Sequence, residues 1–380
     1  MKSMNSNIKK LLFAVIRSGM EISDLDNHIS TEEMKELCAI AKAQAILPIF
    51  VRGIKRSSVQ PASIPPEYEK IYLKDTYRSV QFEDALRKII VVFNENRIPF
   101  VLLKGAVLRD LYPDVYMRTS CDLDILVRED DLDRAVSTIE SSTAFKVYAR
   151  GYHDVAMINS QVKLELHFSI KENMEKIDVI LDRVWDYSTP ASYGYQYNMS
   201  TEFQVFYVLA HMSYHLTHGG VGIRPLLDLW LIDKVPCDRT KLKTMLVNTG
   251  TSVLYEKCLR LVDAWMENRK TDYDLVDLED FCLAGGVFGN SETAALAQVR
   301  KQSKAVYLFR RLFARREYLE ELYPKLKNRP YLLPIYQIKR WFRLADKHRR
   351  KKAQQEFEVA ISAGQKEKES VDVLLKSLGL

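Results

Sequence analysis

Between Phe100 and Arg128 the chain reads FVLLKGAVLRDLYPDVYMRTSCDLDILVR, and few folds accommodate that order. Phe100-Val101-Leu102-Leu103 is an apolar run that stops at Lys104-Gly105, and Asp122-Leu123-Asp124-Ile125-Leu126-Val127 is a second. Short apolar runs bounded by turn residues predict buried strands. Gly105 opens a short helix over 106–111, and Pro113 ends it. Alternate residues of a strand point the same way, so Asp122 and Asp124 share a face, about 6.5–7 Å apart along the chain. Two carboxylates on one rigid edge can hold one or two hard divalent cations. Two solvated aspartates at a strand start are the plainer alternative.

A third carboxylate follows downstream. In Val162-Lys163-Leu164-Glu165-Leu166-His167-Phe168 the residues alternate, with Leu164, Leu166 and Phe168 on one face and Lys163, Glu165 and His167 on the other. A core strand has little need of Glu and His on one side. If this strand pairs beside the aspartate strand, Glu165 reaches the same site.

These residues resemble the nucleotidyltransferase superfamily to which DNA polymerase beta belongs, through the turn, the Asp-x-Asp strand and the later acidic strand. The closer similarity is to a group of largely uncharacterised bacterial nucleotidyltransferases, with LLKG, then R-x-x-x-DLDILV, then LELH, and a helical C-terminal half. It covers 8–344, with its specific motifs between Leu102 and His167. The resemblance implies a metal-dependent enzyme that moves a nucleoside monophosphate from an NTP to an acceptor hydroxyl and releases pyrophosphate. Asp122, Asp124 and Glu165 are then the metal and catalytic residues, with two Mg²⁺ ions, or Mn²⁺, as cofactor. Glu165 would also take the acceptor's proton, and His167 would orient it beside the nucleotide. The acceptor stays open: a protein side chain, an RNA end, an antibiotic or another small molecule, a sugar or a lipid-linked glycan precursor. A catalytically degenerate member that binds nucleotide or protein is the second reading.

The same positions have local readings. Lys104-Gly105 sits at a strand-to-helix turn, where glycine admits close backbone approach and free N–H groups can meet phosphate. Related enzymes carry Gly-Ser here, so Lys104 would supply charge to the triphosphate in place of a hydroxyl. Arg109 and Arg118 flank the loop before the aspartates; Arg118 suits either phosphate or a structural salt bridge. Cys121 reads as a packed small residue. His211, His215 and His218 fall at i, i+4 and i+7 on one helix face. Zinc is conceivable there, giving a metal hydrolase as a third reading, but position 212 is not glutamate and the metalloprotease signature is not met. The histidines otherwise line the cleft and touch nucleotide or acceptor. Arg224 and Asp228, one turn apart, pair with each other or face that cleft.

The rest of the chain frames this region. At 380 residues it can build two or three domains, and 47% apolar with 28% charged residues predicts folding rather than disorder. The net charge of +6 favours anions only mildly. Cys38, Cys121, Cys237, Cys258 and Cys282 form no close pair, which reads as a reduced cytoplasmic protein without a disulfide framework. Leu11 to Ile16 is too short for a signal peptide, and no apolar run is long enough to span a membrane. The expected fold is α/β (α+β). A helical segment, 1–77, precedes a small mixed-sheet catalytic domain, 78–198, a helical domain, 199–352, and a polar tail, 353–380. Ser30-Thr31-Glu32-Glu33 is a capping-box start, Pro48 interrupts the helical pattern, and a long amphipathic helix runs over 68–96. Strands are expected over 145–149 and 155–158, helices over 201–218, 224–233, 240–249, 251–268 and 292–325, and a loop at 285–289. Residues 300–352 interleave Lys and Arg with aromatics, which suits solvated helix faces, or a surface for a polyanion or membrane headgroups.

Overall fold

The computed structural model describes residues 3–59, 62–120, 122–289, 313–314, 316, 319, 323, 326, 329–344 and 365–380. Cys121, most of the expected helix over 292–325 and the greater part of the basic 300–352 region, with Arg310, Arg311 and 349–352, lie outside them.

Three helices open the chain: α1 (Ser6–Gly19), α2 (Thr31–Ala43) and α3 (Leu47–Lys55). Ser30 caps α2 through a complete capping box with Glu33. Pro48 does not break a helix but begins one, because it occupies the first turn of α3, where no backbone N–H is needed. The long helix α4 (Pro66–Glu95) starts on a proline for the same reason. Its stripe of Phe82, Ala85, Leu86, Ile89, Val92 and Phe93 is buried, as its helical spacing requires.

The sheet-bearing segment follows as β1 (Phe100–Leu102), α5 (Gly105–Leu108), β2 (Asp122–Val127), α6 (Leu132–Ser142), β3 (Lys146–Arg150), β4 (Asp154–Ile158), β5 (Lys163–His167) and α7 (Glu175–Leu181). The expected helix over 106–111 divides into α5 and a 3-10 turn, Arg109–Leu111. Two further strands, β6 (Ser188–Pro190) and β7 (Gln196–Met199), complete a mixed seven-stranded sheet in the order β3-β4-β5-β2-β1-β7-β6. Neither β6 nor β7 has an apolar alternation, and the sequence reading passes over both.

Helices α8 (Thr201–His218), α9 (Ile223–Asp233), α10 (Arg239–Thr249), α11 (Ser252–Met266) and α12 (Val276–Ala284) come next, then α13 (Leu333–Leu344) and α14 (Gln365–Ser377). No described helix is long and apolar enough to cross a membrane. The four described cysteines are free.

Two cores sit on opposite faces of the sheet. Leu123, Ile125, Val127, Leu164 and Leu166 pack against α4 and α6. On the other side, residues of α1–α3 share one core with residues of α8–α12, and Val371, Leu374, Leu375 and Leu378 from the chain's end join it.

Candidate active site

Strand pairing brings the three carboxylates together. β2 and β5 run parallel, with Asp122 opposite Lys163, Asp124 opposite Glu165 and Leu126 opposite His167. Each row projects to one face, so the alternation that buries Leu123 and Ile125 on one side leaves the acidic positions on the other. Ligand atoms of Asp124, Glu165 and His167 lie within 4.8 Å of one another, the one such group among the described residues. Asp122 stands beside them on the rim of the same cleft, which encloses about 470 Å³.

His167 lies 5% exposed beneath the carboxylates, its Nε2 3.0 Å from Asp124 Oδ1 and 3.7 Å from Glu165 Oε2. It therefore reaches Asp124 more closely than Glu165. Its Nδ1 is buried without a hydrogen-bond partner. Lys163 donates to Glu165 and lies 3.9 Å from Asp122 Oδ2. Burial raises Asp122 above the usual carboxylate range, and the neighbouring Asp124 and Glu165 raise it further. Burial also opposes charge on Asp124, but Lys104 and the bond to His167 outweigh it and hold that carboxyl well below the usual range.

Lys104 caps α5 with φ +38°, a backbone conformation that costs a non-glycine residue on the order of 1–3 kcal/mol. That backbone aims its ammonium into the cleft, 3.7 Å from Asp124 Oδ1. Burial disfavours the charge, yet the Tyr207 oxygen and then Asp124, Glu172 and Glu165 more than compensate, so Lys104 stays protonated. Gly105 beside it leaves room for the Ser120 and Arg118 side chains. A Cβ there would stand 2.3 Å from Ser120 Oγ and 2.8 Å from Arg118 Nη1.

Arg118 lines the cleft but spends its guanidinium on a buried fork to Asp228, with Nε to Oδ1 at 2.8 Å and Nη2 to Oδ2 at 2.9 Å. Its Nη1 donates to Ser120, and the Tyr112 hydroxyl also donates to Asp228. The salt bridge read for Arg118 is present, and its partner is Asp228. Arg224 donates to the Thr119 carbonyl at 2.9 Å, with its guanidinium 5.6 Å from the Phe288 ring centre. Arg109 is buried away from the carboxylates, bonded to Glu83 and Ser79 and stacked over Phe82.

His211 and His215 line the cleft from α8, whereas His218 is exposed and stacks on Tyr214. The three do not converge on one point. His211 meets Glu172, and His215 meets His211 and stacks on Phe288 at 4.2 Å. Tyr207, Glu172 and Phe288 were not singled out from the sequence. Tyr207 sits in an apolar helix and Glu172 in a loop, and neither position carries a periodic signal. Phe288 belongs to the 285–289 loop, which the Val287 N–H fixes to the Ala43 carbonyl.

The family model described as "Uncharacterised nucleotidyltransferase" matches residues 30–267, a span that contains every residue of this cleft except Val287 and Phe288. Comparison with curated proteins and with solved structures returns no match.

Proposed function

Since the chain belongs to the uncharacterised nucleotidyltransferase family, we propose that it transfers a nucleoside monophosphate from an NTP to an acceptor hydroxyl, with pyrophosphate as the leaving group. The observation that carries this reading is the registered pair Asp124–Glu165, with Asp122 and His167 on the same face. Burial first, and then the neighbouring Asp124 and Glu165, raise Asp122, and a divalent cation at the shared face would relieve that cost. The donor set is rich in oxygen and suits Mg²⁺ or Mn²⁺. Asp122, Asp124 and Glu165 would hold the metal, and His167 would fix the Asp124 carboxylate. The bound metal supplies Lewis acidity and charge neutralisation at the phosphates.

The protein's own groups do the rest. Lys104 meets the terminal phosphates from its strained turn, and its ammonium already lies 3.7 Å from Asp124 Oδ1. Lys163, at the start of β5, restrains Glu165 from the same strand face. The α8 wall and the Phe288 loop close the opposite side and leave room for an acceptor.

Thermal unfolding tests binding. Mg²⁺ with an NTP should raise the melting temperature, because a ligand at about 100 times its Kd adds about 2.7 kcal/mol. Pyrophosphate release should follow in the presence of acceptor. A shift with nucleotide and Mg²⁺ but no release under any acceptor would favour the binding-only reading.

A further inference from the structure

Away from the carboxylates, three side chains are joined in series on the α8 side of the cleft. Glu172 Oε1 lies 2.7 Å from His211 Nδ1, and His211 Nε2 lies 3.0 Å from His215 Nε2. A carboxylate only accepts, so His211 Nδ1 carries a proton. Burial, then the charge of Lys104, keeps His211 below its ordinary range despite Glu172. In that neutral ring Nε2 is a lone pair, and His215 Nε2 must donate to it. Burial, then His211, pushes His215 down to about 3, so this ring is neutral too and its remaining nitrogen, Nδ1, is a lone pair. His215 lines the same cleft as Asp122, Asp124 and Glu165.

We propose that Glu172, His211 and His215 form a two-imidazole relay that receives the acceptor hydroxyl's proton during transfer. This rests on the nucleotidyl-transfer reading above. As the acceptor oxygen bonds to the α-phosphorus, the bond to the bridging oxygen breaks and pyrophosphate keeps that electron pair. The hydroxyl proton passes to His215 Nδ1, and the proton on His215 Nε2 passes to His211 Nε2. The positive charge then rests on His211 beside the Glu172 carboxylate, which stabilises it. Glu165 is poorly placed for this duty, because Lys163 occupies one of its oxygens and His167 stands 3.7 Å from the other. The relay is neutral at rest and gains basicity when the triphosphate brings negative charge into the cleft.

Two measurements on the full chain decide it. Nitrogen NMR of the wild-type imidazoles should find His211 as the Nδ1–H tautomer and His215 as the Nε2–H tautomer; a resting His215 with Nδ1–H overturns the relay. In the second, α-labelled ATP, GTP, CTP and UTP are supplied with Mg²⁺ and an extract of the source cells as acceptor. His215→Ala should lose transfer by about 10²-fold, the low end for a positioned proton acceptor. It should bind Mg²⁺ with a non-hydrolysable nucleotide normally, and added imidazole should restore part of the rate. Wild-type transfer with an unimpaired His215→Ala, or a loss that tracks nucleotide affinity and ignores imidazole, sinks the relay alone. Wild-type protein that transfers no label from any of the four sinks the transfer reading and the relay with it.

Discussion

Lys104 carries a constraint from each direction: its backbone is strained at φ +38° and its ammonium is held among Tyr207, Asp124 and Glu172. A half-buried cation kept charged and aimed at a carboxylate cluster is suited to the end of a triphosphate. Replacing it by alanine should weaken NTP binding by about 10- to 100-fold, the equivalent of a charge-assisted hydrogen bond of about 1.5–3 kcal/mol. Monophosphate binding should change little. Calorimetric titration of both nucleotides measures this, and equal losses would remove Lys104 from the terminal phosphates. Its turn was legible in Leu103-Lys104-Gly105, because an apolar run that ends at glycine has few local solutions. Its partners were not, because Tyr207 lies 103 positions further along the chain by the numbering of the sequence.

At the scale of elements, the loop before β2 is tied to α9 by the buried Arg118–Asp228 fork and the Tyr112 hydroxyl. Removing one partner leaves an uncompensated buried charge. Arg118→Met or Asp228→Leu alone should each cost about 3–5 kcal/mol, while the double variant should cost much less than the sum. Denaturant unfolding of the cycle checks this; strictly additive losses would mean that the two side chains are not coupled. Both residues stood out in the sequence, but their contact joins positions 110 apart. Alternation likewise assigned the faces of β2 and β5, and only the parallel register of Asp124 with Glu165 makes those faces one site. Strands β6 and β7 were missed because they are short and polar, and are held by pairing, β7 to β1 and β6 to β7, rather than by burial of an alternating face.

Across the whole molecule, the first helices are part of the same core as the helices that follow the sheet. Phe13 of α1 stacks on Trp265 of α11 at 4.4 Å, and Arg17 donates to the Trp265 carbonyl. Phe13→Ala should cost about 3–5 kcal/mol and lower the same transition that tryptophan fluorescence follows. A separate early transition confined to the first helices would show that the two segments unfold independently. Helix periodicity made the individual helices readable, but no local pattern says which distant helix completes a core. The central claim is that the face shared by Asp122, Asp124 and Glu165 performs metal-dependent nucleotidyl transfer. Its most direct test is transfer of α-labelled nucleotide by the wild type and by Asp124→Asn, each with and without Mg²⁺. The account predicts label transfer that needs Mg²⁺ and falls by at least about 10²-fold in Asp124→Asn, the scale of losing charge stabilisation at the transition state. Label transfer that proceeds equally in Asp124→Asn, or equally without a divalent cation, would contradict it.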